Sequence, residues 1–315
     1  MKALNCKLKL ILAVLLFAGT GIFAQDVKKE LHEEFDTNKS TVLEIDSKFT
    51  ELTVNSWGKD LLVVDVTITV KDSDEGKAKK LLGQINVDIE KNGNNISIET
   101  DFDDSFSKGV KKIAKGFTVE IEVNAPSYIN LDIEAKFGSS ELGSFTGNAD
   151  ISTSFGAMEI EKLSGQEIYL TVNQGDCSVG EIADAVAEVN FGVLNLISAA
   201  NLDIEVNQGE AVIGRAKNLS AEVQMGSLVV KKVDQSFEEI SIENDMSNTV
   251  LGIDENAGFT IEIEMNMGGI DIPRSLGEVK TDKKGLNSSF EGTYGNGKSS
   301  ISLEGRMGQF ELKFK

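Results

Sequence analysis

Apolar and polar residues alternate along most of this chain in short runs, and the runs come in pairs with a glycine between them. In the segment IYLTVNQGDCSV (168–179), apolar residues stand seven, five and three positions before Gly175 and two and four positions after it. A period of two is typical of a β-strand with one buried face. The runs are too short for helices and are rich in Val, Ile and Thr. The pattern predicts two strands joined at a tight corner, with the glycine supplying the backbone freedom that the corner needs.

The same template recurs along the chain at intervals of 17 to 21 residues, apart from a final interval of 40. A third apolar position, seven after several pivots (Phe145, Leu163, Ile182 and Val233), predicts a second corner or a short third side. A unit of this length cannot bury its apolar row alone, but stacked units bury a continuous core. The pivots are Gly138, Gly156, Gly175, Gly192, Gly209, Gly226, Ser247, Gly268 and Gly308, preceded by a diverged one at Thr50.

We therefore predict an all-β chain that forms a right-handed β-solenoid of about ten rungs of 17–21 residues each. A β-sandwich would not require a constant period with a fixed glycine. An outer-membrane barrel needs strands of about 9–11 residues and aromatic girdles, whereas here the alternation breaks after five or six residues and aromatic residues make up 6% of the chain. Asn173, Asn190 and Asn207 share one repeat position, which Gln224 continues, and predict a ladder of stacked side-chain amides that holds a corner.

Three regions are predicted: a signal peptide (1–24), a β-rich capping region (25–125) and the repeat region (126–315). Within the capping region, LLVVDVTITV (61–70) predicts a strand and GKAKKLLGQI (76–85) a short helix. The segment 91–94 predicts a hairpin turn, and 101–117 predicts an exposed loop. The C-terminal FELKFK predicts the last strand of the stack.

Residues 1–24 have the order of a secretory signal peptide: Lys2, Lys7 and Lys9, then an apolar stretch, then Ala24 before Gln25. The apolar stretch is shorter than the roughly 20 residues of a spanning helix, and no later segment is apolar enough to span a bilayer. Cleavage removes three lysines, so the net charge of −20 becomes −23. Such a chain repels nucleic acid. Only Cys177 remains, at an apolar repeat position that predicts a buried, inert thiol.

The residues indicate no catalytic apparatus, so we predict a non-enzyme without cofactor or metal, and no ligand-binding residue is assigned. The single histidine, His32, lies in a polar segment, and no nucleophile elbow, HExxH pair or phosphate loop occurs. The acidic stretches 72–75 and 101–104 match no calcium-loop pattern and predict solvated loops. A polysaccharide-cleaving enzyme is the alternative, since carboxylates could meet across rungs. Trp57, Tyr128 and Tyr169 are candidates for stacking on sugar rings, and Tyr169 is predicted to face outward.

Segments such as NADISTSFGAMEIEKLSG (148–165) and NLDIEVNQGEAVIGRA (201–216) resemble the putative-adhesin family of bacterial envelope proteins. The opening segment VLEIDSKFTELTVNSWGKDLLVVDVTI (42–68) is similar to the entry strands of that family, and the end of the signal peptide, FAQ, resembles those of Bacteroidota. The resemblance covers nearly all of residues 41–315 and implies a right-handed β-solenoid behind a signal peptide. It carries over no functional residues.

Together these observations predict an exported, adhesin-like binding or structural protein. We expect it in the periplasm or on the outer surface of a Gram-negative bacterium, with a glycan or an envelope protein as partner. Asp132, Glu134, Glu205 and Glu222 are predicted to mark the outward face that meets the partner. A periplasmic scaffold or sensor of the envelope state is a further alternative.

Overall fold

The structure is a computed structural model that describes residues 26–103, 116–281 and 285–315. The predicted signal peptide (1–24) and most of the predicted loop (101–117) lie outside the described residues. The described part of the chain is all-β with one helix, and its 24 strands form a single hydrogen-bonded sheet. The elements are β1 (Val27–Asp36), β2 (Val42–Lys48), β3 (Glu51–Trp57), β4 (Leu61–Val70), α1 (Glu75–Leu82), β5 (Ile85–Asn92), β6 (Asn95–Phe102), β7 (Phe117–Pro126), β8 (Asn130–Lys136), β9 (Ser139–Phe145), β10 (Ala149–Ser154), β11 (Ala157–Leu163), β12 (Ile168–Asn173), β13 (Asp176–Asn190), β14 (Val193–Asn207), β15 (Glu210–Gln224), β16 (Ser227–Val233), β17 (Glu239–Asp245), β18 (Asn248–Ile253), β19 (Phe259–Asn266), β20 (Gly269–Asp271), β21 (Lys280–Thr281), β22 (Asn287–Tyr294), β23 (Ser299–Arg306) and β24 (Gln309–Phe314).

The repeat units pair side by side in parallel, and each predicted pivot marks the turn between its two strands. The strands before the pivots form one ladder, which we call the first ladder: β5, β6, β2, β8, β10, β12, the later halves of β13, β14 and β15, then β17, β23, β19, β22 and β21. The strands after the pivots form the second ladder: β1, β4, β7, β3, β9, β11, the earlier halves of β13, β14 and β15, then β16, β18, β24 and β20.

Three strands of 15 residues each, β13, β14 and β15, run from the second ladder into the first without a break. The predicted second corner after Ile182 is therefore a bend inside one long strand rather than a break between two strands. The pairing of β13 with β14 skips Gly180 and Ala183 on either side of Ile182, which locates the bend. The four apolar residues that suggested this corner are all buried: Phe145, Leu163, Ile182 and Val233.

The pivot glycines do not play the backbone role that the sequence suggested. None of them has a positive φ; instead, the residue just before each pivot adopts the left-handed conformation, with φ between +50° and +58°. Eight of the ten pivots are glycines, because the units stack tightly there, and Thr50 and Ser247 are the two exceptions. A Cβ atom on Gly175 would lie 2.5 Å from the backbone oxygen of Gly156, and one on Gly192 would lie 2.6 Å from that of Gly175. The prediction of a corner glycine was right in position and wrong in cause.

The order of the units in space differs from their order in the sequence at both ends. The C-terminal unit, β23 and β24, lies between the unit of β17 and β18 and the unit of β19 and β20. FELKFK is therefore an internal strand rather than the last one, and its Phe310 and Leu312 are buried. At the other end, β2 and β3 lie between β6 and β7 on one side and β8 and β9 on the other. In both places, the chain passes to the end of the stack and then returns.

Antiparallel strands close the two ends of the stack. Near the N-terminus, β5 pairs with β6 through the predicted turn, where Gly93 has a φ of +63°. The predicted helix α1 begins after Asp74, whose carboxylate accepts a hydrogen bond from the backbone N–H of Lys77 at 3.1 Å. It contacts β1 and β4 and buries Ala78. At the other end, β22 and β21 continue the first ladder beyond β19. Such added strands cover parallel edges that would otherwise be open to pairing.

Candidate functional site

The outward face of the first ladder lines up residues of equal repeat position, because its parallel strands pair in register. Six positions before the pivots, Tyr169 pairs with Val186, Val186 with Asp203, Asp203 with Ser220, and Ser220 with Ser241. Eight positions before the pivots, Asp184 pairs with Asn201 and Asn201 with Asn218. These two columns line an open groove of about 640 Å³, which we call the Tyr169 groove.

Tyr169 supplies a flat, accessible ring at one end of this groove. Half of its surface is exposed (50%), and Val186 beside it is 46% exposed. The prediction that Tyr169 faces outward is confirmed. In its column, Tyr169 stands between Asp150 of β10 on one side and Val186 of β13 on the other.

The rim of the Tyr169 groove is a ladder of side-chain amides. Asn201 donates a hydrogen bond to the Asp184 carboxylate, and Asn218 Nδ2 donates to Asn201 Oδ1 at 2.8 Å. Asn218 Oδ1 in turn accepts from the backbone N–H of Glu238 at 2.8 Å. Each amide therefore has its orientation set by a neighbour, which leaves a row of pre-oriented polar groups beside the Tyr169 ring.

The other two candidate aromatic residues are committed to internal contacts. Trp57 Nε1 donates to the backbone oxygen of Leu61 at 2.7 Å, and Lys59 Nζ lies 4.3 Å from its ring centroid. The Tyr128 hydroxyl donates to Asp60 Oδ1 at 2.9 Å, and the residue is only partly exposed. Both residues are less exposed than Tyr169.

A second groove, of about 780 Å³, lies on the same face nearer the pivots and is strongly acidic. Glu222, Glu243, Glu304 and Glu264 line it, and they belong to a column of six glutamates on adjacent strands in which each member pairs with the next. We call this the glutamate groove. Lys280 and Arg306 also line it, and Arg306 Nε donates to Asp245 Oδ1 at 3.1 Å. The column is Glu188, Glu205, Glu222, Glu243, Glu304 and Glu264.

The four acidic residues that were predicted to mark the outward face do lie on it, in two groups. Asp132 and Glu134 belong to β8, whereas Glu205 and Glu222 belong to the glutamate column several strands away. Burial, followed by the neighbouring charges of Asp150 and Glu134, raises the pKa of Asp132. The full glutamate column was missed, although its spacing of 17, 17 and 21 residues from Glu188 to Glu243 was visible in the sequence.

The predicted amide ladder at the corner is present. Asn190 Nδ2 donates to Asn173 Oδ1 at 3.1 Å, and Asn207 Nδ2 donates to Asn190 Oδ1 at 3.2 Å. Gln224 pairs with Asn207 through the backbone. Since these amides bond to one another and lie next to the pivots, they support the corner.

The titratable groups singled out in the sequence occupy ordinary structural positions. Cys177 is fully buried, and this burial raises the pKa of its thiol to about 12. His32 is exposed on β1, where Nδ1 lies 2.6 Å from Asp65 Oδ1; the hydrogen bond to Asp65 raises the pKa of the imidazole.

In the described ranges, no group of three His, Cys, Asp or Glu side chains is arranged to hold a metal ion. Asp72 and Asp74 both accept backbone hydrogen bonds at the start of α1.

The structure also reveals an exposed apolar line that the sequence analysis missed. The residues just before the pivots, all in the left-handed conformation, lie side by side along the corner between the two ladders. The recurring dipeptides FG, QG and MG were the signal for it. We call this line the corner ridge. In stacking order it consists of Phe49, Phe137, Phe155, Gln174, Phe191, Gln208, Met225, Met246, Met307 and Met267.

No helix among residues 26–103, 116–281 and 285–315 has the length and apolar character needed to cross a bilayer.

No protein-family model matches the chain, and a search of the curated proteins finds no match. Among solved structures, the chain is similar to a putative adhesin from Bacteroides fragilis (12% identity, TM-score 0.38, covering 91% of this chain and 97% of that one). It is also similar to a putative lipid binding protein from Parabacteroides distasonis, with 12% identity and a TM-score of 0.36 over 91% of this chain and 96% of that one. A putative cell adhesion protein from Clostridium sporogenes has 13% identity and a TM-score of 0.27 over 92% of this chain and 100% of that one. At these identities and TM-scores, what those names say of the other proteins does not carry over to this chain.

Proposed function

We propose that this protein is a non-catalytic, adhesin-like binding module of the cell envelope, built as a right-handed β-solenoid, and that its ligand is a glycan bound in the Tyr169 groove. The observation that carries the proposal is the presence of one half-exposed aromatic ring and a row of pre-oriented amide and carboxylate groups in a single groove. The Tyr169 ring and the Asp184–Asn201–Asn218 rim lie on adjacent strands of the first ladder.

The chemistry of this groove suits a sugar chain. A pyranose ring has an apolar face of C–H groups, which packs on an aromatic ring, and a rim of hydroxyls, which need hydrogen-bond partners. Ligand sites commonly combine such an apolar platform with a few placed polar groups. Tyr169 and Val186 supply the platform, and Asn201 and Asn218 supply amides whose orientation is already set.

Sequence features support the envelope location and the solenoid architecture. The segment 1–24 has the order of a secretory signal, and the chain carries a net charge of −20, which suits a soluble surface rather than attachment to anionic lipid. The parallel registers of 17 residues between β13, β14 and β15 support the solenoid architecture, in which successive rungs repeat at such a period.

Binding is tested first on a glycan array with the purified exported chain, and the affinity of each hit is then measured by isothermal titration calorimetry. We expect Tyr169→Ala to weaken binding at least tenfold because the stacking surface is lost, and Tyr169→Phe to keep most of it. Asn201→Ala should weaken binding several-fold. Ile197→Ala is the matched control, since Ile197 is an exposed apolar residue of the second ladder. Absence of saturable binding, or equal affinity for Tyr169→Ala, would overturn the proposal.

Location is tested separately by protease shaving of intact cells, followed by detection of the chain with a specific antibody. Loss of the full-length chain from intact cells supports an outer-surface adhesin. Complete protection until the outer membrane is opened would remove the adhesive role and favour a periplasmic scaffold or sensor.

A polysaccharide-cleaving enzyme is the second candidate, and the glutamate groove favours it. Glycosidases use two carboxyl groups that flank the bond to be cleaved, and here carboxylates of neighbouring strands share one groove. Incubating array-positive polysaccharides with the chain and analysing the products by chromatography tests this. Release of new reducing ends that disappears in Glu243→Gln or Glu304→Gln would replace the binding role with a catalytic one.

A further inference from the structure

The corner ridge exposes an unusual amount of apolar surface for a chain of this charge. Its four phenylalanines and four methionines each expose between 37% and 58% of their surface, and the two glutamines between them are also exposed. With roughly 200 Å² for a large side chain, the eight apolar residues present on the order of 750 Å² in total, divided by the two glutamines into a run of three phenylalanines, a single Phe191 and a run of four methionines. Contiguous apolar patches larger than a few hundred Å² mark interaction sites.

The backbone makes the ridge straight and regular. All ten residues have φ between +50° and +58°, so their side chains leave the corner in nearly the same direction. Adjacent members are one strand spacing apart, about 4.8 Å. The rings of Phe49, Phe137 and Phe155 are stacked in sequence, with centroids 4.9 Å apart in each pair. The left-handed conformation is costly for these residue types, yet it recurs in every unit.

We propose that the corner ridge is the interface of a homodimer, in which two protomers pack ridge against ridge in antiparallel orientation. A standard protein–protein interface buries about 800 Å² on each partner, and the exposed apolar area of the ridge is close to this value. A twofold interface must be complementary to itself. Two ridges of equal pitch meet this condition, because a register that is set at one pair of residues holds along the whole length.

The distribution of residue types favours the antiparallel orientation. Phenylalanines occupy one half of the ridge and methionines the other. A twofold axis perpendicular to the ridge, between Phe191 and Gln208, brings three phenylalanines level with three methionines of the partner. Sulfur–aromatic contacts of this kind are favourable. The pairs are Phe155 with Met246, Phe137 with Met307, and Phe49 with Met267, as the stacking order requires.

Other occupants fit the ridge less well. It is a convex corner between two ladders, so it cannot enclose a small apolar ligand or a single acyl chain. A membrane is disfavoured because its anionic lipids repel a chain with a net charge of −20. A second protomer has the same net charge, and this repulsion predicts that dimerisation strengthens as salt screens it.

Sedimentation velocity of the exported chain over a range of concentrations tests the dimer. We expect a concentration-dependent dimer whose dissociation constant falls severalfold between 0.05 and 0.5 M NaCl. Phe155→Gln and Met246→Gln should each raise the dissociation constant at least tenfold, and both should fold, because glutamine already occupies the same left-handed position at Gln174 and Gln208. Ile197→Gln, which removes a comparable exposed side chain from the second ladder, should leave the dimer unchanged.

A charge exchange tests the register. Phe155→Lys or Met246→Glu alone should dissociate the dimer, whereas the double variant should restore it, because antiparallel packing places the new lysine beside the partner's new glutamate. Circular dichroism confirms folding of each variant. A strictly monomeric chain at 100 μM and 0.5 M NaCl overturns the proposal. A dimer unaffected by the glutamine variants, or a double variant that stays monomeric, overturns it as well. Cosedimentation of the wild type with neutral phosphatidylcholine vesicles, lost in Phe155→Gln, would assign the ridge to a membrane instead.

Discussion

A Cβ atom on Gly156 would lie 2.3 Å from the backbone oxygen of Gly138 in the neighbouring unit. The two glycines stack directly, and the same relationship continues through Gly175, Gly192, Gly209 and Gly226. The corner between the two ladders is therefore a column of closely packed backbone. Because these glycines carry no side chains, neighbouring units can approach closely at the corner.

Gly156→Ala should destabilise the fold by about 1–3 kcal/mol, because the methyl group meets rigid backbone on a neighbouring strand and the strands must separate. Urea unfolding followed by circular dichroism measures the change. Gly58→Ala is the matched control, since no atom lies within 4 Å of the added methyl group and its φ is not positive. It should change the stability by less than about 0.5 kcal/mol. Equal effects of the two substitutions would contradict the packing account.

A second prediction concerns the left-handed residues of the corner ridge. Gln208 is exposed and has a φ of +54°. Gln208→Val should be less stable than Gln208→Asn by about 1–3 kcal/mol, because a β-branched side chain is strained at positive φ while asparagine tolerates it. The comparison uses the free energies of unfolding of the two variants. Similar values would mean that the corner can relax without cost.

Cys177 should be unreactive in the folded protein. Its thiol is buried, and its pKa is raised to about 12, so almost no thiolate exists at pH 8 and the reagent has no access. A disulfide reagent added at pH 8 to a chain that begins at Gln25 and so lacks Cys6 should therefore label about one thiol per chain only after unfolding in guanidinium chloride. Stoichiometric labelling before unfolding would show that the strands around Cys177 open readily.

Asp254 should make the stability of the fold depend on pH in the acid range. Its carboxylate is buried and accepts hydrogen bonds from Gln235 Nε2 at 2.8 Å and from the backbone N–H of Asn256, with Lys232 Nζ 2.7 Å away. These contacts, the one with Gln235 first, hold the pKa of Asp254 well below its usual range.

A carboxyl group with a lowered folded pKa contributes stability above its unfolded value of about 3.9, and this contribution is lost as the pH falls through the folded pKa. Asp254→Asn should thus lower the melting temperature at pH 6, and the gap between wild type and variant should narrow steadily below pH 4. Thermal scans from pH 2.5 to 7 measure this gap. A gap that stays constant over that range would argue against a bound carboxylate as the cause.

The sequence by itself determined the local structure of this protein and which residues are buried. The alternation around each pivot, the strand at 61–70, the helix at Asp74 and the hairpin at Gly93 all follow from side-chain periodicity and turn chemistry, which act over a few residues. The amide ladder of Asn173, Asn190 and Asn207 was also visible, since a constant period of 17 implies a column once the units stack.

Only the tertiary structure decided which units are neighbours at the ends of the stack. The apolar rows of the units are chemically alike, so the pattern around Gly308 fits equally well at the end or between Ser247 and Gly268. Strands about 40 and 60 residues apart in the sequence pair through backbone hydrogen bonds, and this pairing, together with the returning strand β22, selects the internal position. The same long-range pairing assembles the glutamate column, the Tyr169 groove and the corner ridge from residues that are far apart in sequence.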